Sequence, residues 1–178
     1  MSEFSESYHL RTERAEDAIE LLRRAQLKGY VFQPTSGWVT FVAEGGEFEP
    51  DPRIVAAANH PLLHYVSAED HCRSFNLFNG ANAVSGYHCG WDDDITFDDS
   101  MYSRDALEQF VPSVQPALLD ELEQHLHPKE FDEVLDSEPS KLFAQALELE
   151  HYEWLSFDYI ARDLQDSRAA HPEVTKVT

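Results

Sequence analysis

The chain has 178 residues, of which 13 are basic and 34 acidic, for a formal net charge of −21. That length suffices for one sizeable core. Nucleic acid and anionic membrane surfaces are disfavoured as partners, because both need a basic footprint, and no apolar run reaches the roughly 18 residues of a membrane-spanning helix.

The N-terminus, MSEFSESYHLRTER, lacks a basic region followed by an apolar one, so no secretory leader is expected. Two cysteines without a framework spacing predict free thiols in a reducing, cytoplasmic setting. Thr12 is placed to cap a helix running to about Lys28, with Ala15, Ala18, Ile19, Leu22 and Ala25 as its apolar stripe and Gly29 as its left-handed stop. Tyr30–Phe32 and Trp38–Val42 read as strands joined through a turn at Gln33–Gly37. Asp51 and Pro52 suit the N-cap and first position of a short helix to about Asn59. Leu62–Ser67 reads as a third strand.

Asn79-Gly80 then marks a β-hairpin, since both central residues of a type I′ turn need positive φ. With those two residues as the loop, Phe75 faces Val84, Arg73 faces Gly86 and His71 faces His88. Cys72 and Cys89 share a face but sit on a diagonal, a poor geometry for a disulfide. Ile95–Phe97 adds a short edge strand. From Ser103, a good N-cap, the pattern turns helical: Arg104–Val111, Ala117–Leu126, a turn or two around Phe131 and Leu135, and one long helix from Pro139 to about Leu164.

These elements predict an α+β fold in a single domain, 1–178. An antiparallel sheet of about five strands (residues 30–97) carries helices on one face and a C-terminal helical layer. The strand-rich half, 1–100, and the helical half, 101–166, share one core. Residues 167–178 read as a flexible tail.

Three patterns bear on function. The acid is concentrated: residues 91–178 hold 22 acidic and 6 basic residues. Within them Asp92, Asp93, Asp94, Asp98 and Asp99 form the densest run, and Trp154 is an aromatic flanked by acid. Such a face favours a basic protein partner through electrostatic steering, with Trp154 as an anchor. Second, His71, His88 and Asp92 form a two-histidine, one-carboxylate set if the hairpin register holds, and imidazole suits zinc or another divalent metal. The run from Asp92 is not an EF-hand loop, because Phe97 stands at the glycine position and Ser103 at the final glutamate position. Third, each cysteine follows a histidine, but strand neighbours point to opposite faces, which argues against a Cys-His nucleophile.

The leading expectation is a non-enzymatic acidic binding protein without a cofactor, monomeric or homodimeric. By analogy of fold class and charge alone it suits the bacterial immunity or antitoxin type, which neutralise basic toxins. The alternative is a metal-dependent hydrolase with a His/Asp site on the hairpin region 62–99.

Overall fold

A computed structural model describes residues 3–136, 138–166 and 173–178. Its strands form one antiparallel sheet, so the α+β class stands, but the sheet has eight strands rather than about five. In chain order the elements are β1 (Phe4–Leu10), α1 (Ala15–Ala25), β2 (Gly29–Phe32), β3 (Val39–Ala43), α2 (Pro52–Ala57), β4 (Leu62–Ala68), β5 (Cys72–Asn79), β6 (Asn82–Gly90), β7 (Thr96–Asp98), α3 (Arg104–Phe110), α4 (Pro116–Glu123), α5 (Phe131–Asp136), α6 (Pro139–Ala146), α7 (Phe157–Asp163) and β8 (Val174–Val177). The strand order is β7-β6-β5-β4-β1-β3-β2-β8.

β1 is a central strand with no counterpart in the predicted elements. One face, Tyr8 and Leu10, packs with Val31, Val39, Phe41 and Leu62 beneath α1 and α2. The other face is Ser5, Ser7 and His9, all buried. The core satisfies these polar groups: the His9 ring bonds the hydroxyls of Ser7 (3.0 Å) and Thr40 (2.9 Å), and Ser5 Oγ accepts from the Leu155 amide at 3.1 Å.

Helices therefore cover both faces. Trp38, Leu63, Tyr65, Phe75, Leu77 and Tyr87 point away from α1 and α2 into a core built with α3 to α6. On the same side, α7 packs on Tyr30, Phe32 and Val42. Trp38 joins sheet to helical layer by donating its indole N–H to Leu147 O at 2.9 Å.

Two helix ends differ from expectation for one reason. The predicted helix from 139 to 164 is two helices, because α6 closes in a Schellman motif. The Leu149 amide reaches Ala144 O, the Glu148 amide reaches Gln145 O, and Glu148 takes the left-handed position at φ 58°. α1 ends in the same way at Gln26, φ 57°, where the Leu27 amide reaches Leu22 O. Neither cap residue is glycine, so neither stop shows in the sequence. Gly29 serves another purpose: a Cβ there would lie 2.5 Å from Val42 O and 2.7 Å from Leu22. The caps at Asp51 and Ser103 form as predicted, accepting from the Arg53 and Ala106 amides at 2.8 and 3.2 Å. Of the expected tail, 167–172 lie outside the described residues, whereas Val174–Val177 pair with β2 as an edge strand.

Candidate functional site

The site is set by the β5–β6 hairpin, whose register differs from the predicted one. The loop is Gly80-Ala81, with Asn79 opposite Asn82, and Gly80 has φ +60° while Asn79 does not have positive φ. A glycine at the first loop position is the requirement of a type II′ turn. Between Leu77 and Phe78 the ladder slips again, leaving Val84 as an extra residue on β6. The two changes sum to three residues, an odd number, so the side chains of one strand exchange faces relative to the other.

His88 consequently faces Ser74, and Arg73 faces Cys89. His71 and His88 are not cross-strand partners. Cys72 and Cys89 lie on opposite faces of the sheet, and both are free. Burial pushes the Cys72 thiol up to about 11, reinforced by the nearby Asp92 carboxylate, and raises Cys89 as well. Both thiols are held in the unreactive protonated form at neutral pH.

The acidic run lies where β6 leaves the sheet. Asp92 Oδ1 is 2.7 Å from His71 Nδ1, with both side chains more than half exposed. Asp93 and Asp94 are exposed and make no hydrogen bond or ion pair to a described residue. Asp98 stands opposite His88, and hydrogen bonds from Ser100 hold its carboxyl below the usual range. Asp99 meets His127 Nε2 at 2.6 Å. His71, His88, Asp92 and Asp94 do line one open cleft of about 650 Å³ beside Phe4 and Phe48. Among the described residues no group of three His, Cys, Asp or Glu side chains is arranged to hold a metal.

Trp154 is 47% exposed and sits at φ 52°. A continuous path of contacts joins it to the acidic run. The Trp154 amide donates to Glu3 Oε1 at 3.0 Å, the Glu3 amide donates to Glu69 Oε2 at 2.8 Å, and the neighbouring Phe4 ring meets the His71 ring edge-on at 6.5 Å. Glu69, Asp70 and Glu153 thereby join Asp92–Asp94 and Trp154 around an acidic edge of the molecule, at the strand ends where β1 begins and β4 and β6 finish.

Sequence reasoning missed Arg73 and Trp91. The predicted hairpin sets Arg73 opposite Gly86 and gives Trp91 no role. The corrected register buries both, with the Arg73 guanidinium 4.8 Å from the centre of the Trp91 ring. The only available signal was an arginine alternating with Phe75 and Leu77 on one face of a strand.

The Ser7–His9–Thr40 chain has the hydrogen-bond order of a catalytic relay but is wholly buried at the centre of the sheet. Burial lowers the His9 pKa to about 3, and no substrate can reach the ring. Comparison with known protein families, with curated proteins and with solved structures finds no match for this chain. No helix among the described residues is long and apolar enough to cross a membrane.

Proposed function

We propose that this chain is a non-enzymatic binding protein that receives a basic protein partner on its acidic edge. Asp92, Asp93, Asp94, Asp98 and Asp99 supply charge, and Trp154 supplies an aromatic anchor. The observation that carries the reading is the contact path joining exposed Trp154, through Glu3, its neighbour Phe4 and His71, to Asp92. A charged field rich in one sign raises the association rate, while a large, half-exposed aromatic beside it contributes affinity. Asp93 and Asp94 make no ion pair with a described residue, so their charge is available to a partner. The chemistry is that by which immunity and antitoxin proteins neutralise basic toxins, and a cytoplasmic monomer or homodimer suits it.

The second reading is a divalent-metal hydrolase using His71, His88 and Asp92. Its support is the shared cleft and the 2.7 Å contact of His71 with Asp92. Its weakness is the register, which turns His88 toward Ser74 and Asp98. Metal content of protein purified without chelator or histidine tag separates the two. Stoichiometric zinc that is lost in His71→Ala/His88→Ala supports the hydrolase.

The binding reading is tested with an arginine- and lysine-rich peptide and two triple variants. Asp92→Asn/Asp93→Asn/Asp94→Asn removes charge from the proposed edge. Glu13→Gln/Glu16→Gln/Glu20→Gln removes the same charge from α1 and the turn that precedes it. Loss of affinity and a flatter salt dependence in the first variant alone support the assignment; equal losses reduce it to non-specific attraction.

A further inference from the structure

Arg73 is the only arginine or lysine buried among the described residues, at 6% exposure. It has no carboxylate partner there, although buried charges are ordinarily paired. Its Nη2 donates to Val134 O, Nη1 makes no hydrogen bond to a described residue, and Nε is closed off from solvent with no acceptor. The indole N–H of Trp91, whose ring lies against the guanidinium, is likewise buried and unmet. Two unsatisfied donors on adjoining side chains cost free energy in a native core, and such groups ask for a reason.

Both side chains line one cavity of about 170 Å³, an order of magnitude above the ~10–15 Å³ that a single water needs. Tyr65 and Tyr152 supply its aromatic wall. Four glutamates also line it: Glu138 is paired with Lys141 at 3.4 Å, the Glu3 carboxylate accepts from Ser5 Oγ and the Trp154 amide, the Glu69 carboxylate accepts from the Glu3 amide, and exposed Glu153 makes no ion pair with a described residue. A simple anion would find Arg73 but would be repelled by these glutamates and by the net charge of the chain. A simple cation would leave Arg73 and Trp91 unmet.

We propose that this cavity binds a small zwitterion of the α-amino acid class, with its carboxylate on Arg73 and Trp91 and its ammonium toward Glu69 and Glu153. Nη1 is the first point of contact. Rotation of the stacked guanidinium and indole toward the ligand then satisfies the two buried donors. The planar guanidinium fork matches a carboxylate bidentately, which lysine would not do. This site borders the proposed partner edge and shares Glu69 and Glu153 with it, but its anchor is Arg73, which that edge does not use, so the two readings are tested separately.

The test is calorimetric titration of the full chain with each common L-α-amino acid in turn, up to millimolar concentration. At least one is expected to bind at one-to-one stoichiometry. Its α-amide and its N-acetyl derivative are each expected to bind at least about tenfold more weakly, since each removes one charged contact. Arg73→Met should abolish binding. Trp91→Phe, which keeps an aromatic ring and removes the N–H, should weaken it several-fold with an unchanged far-ultraviolet circular-dichroism spectrum, and it carries the test if Arg73→Met fails to fold. Absence of binding by every amino acid overturns the proposal. So does an N-acetyl derivative that binds as well as its parent, or a folded Trp91→Phe protein with unchanged affinity.

Discussion

The Phe143 ring lies parallel to the Phe75 ring, with centroids 4.1 Å apart and 4° between their planes. Phe75 belongs to β5 and Phe143 to α6, so this stack joins the sheet to its C-terminal helical layer. Both rings are almost completely buried. Phe143→Ala is expected to cost about 3–5 kcal/mol, the usual range for emptying an aromatic site in a core. A double-mutant cycle with Phe75→Ala should show a coupling of roughly 0.5–1.5 kcal/mol beyond burial. Urea denaturation of the four proteins measures both quantities.

His9 gives the protein a defined pH response. Its folded pKa is lowered to about 3 by burial first, with His151 and His64 adding repulsion, whereas an unfolded histidine titrates near 6.5. Between those values the unfolded chain binds a proton that the folded chain refuses, so stability falls as pH drops from about 6.5 toward 3. The slope from this group approaches ~1.4 kcal/mol per pH unit. His9→Gln should be less stable at pH 7, since it disturbs the Ser7 and Thr40 bonds, but its stability should fall less steeply below pH 6. Parallel slopes for the two proteins would contradict the assignment.

Two backbone positions predict opposite outcomes for apparently simple changes. Gly29→Ala places a methyl group against Val42 O, a backbone atom that cannot swing away, and is expected to cost about 1–3 kcal/mol. Glu148→Gly relieves a left-handed residue at the α6 cap and is expected to stabilise by roughly 0.5–1 kcal/mol. Thermal melts of the two variants should move in opposite directions.

These positions also explain how far the sequence can be read. Strands β2 to β7 and the caps at Asp51 and Ser103 are legible, because alternation and capping chemistry are local. β1 is hidden because Ser5, Ser7 and His9 look like a solvent face, and only the tertiary bonds to Thr40 and Leu155 make them a core face. The ends of α1 and α6 are hidden because Gln26 and Glu148 fill positions usually read from glycine. At the candidate site, a one-residue choice at Asn79-Gly80 and an unmarked bulge at Val84 decide which residues of β6 share a face with Arg73. Periodicity alone carries no information about either.

The most direct measurement is a map of amide chemical-shift changes as an arginine- and lysine-rich peptide is titrated into the isotopically labelled chain. The largest changes are expected at residues 69–71, 91–99 and 153–154, collapsing together as salt is raised. Changes centred on the acidic surface of α1, or spread evenly over every acidic segment, would contradict the proposed partner edge.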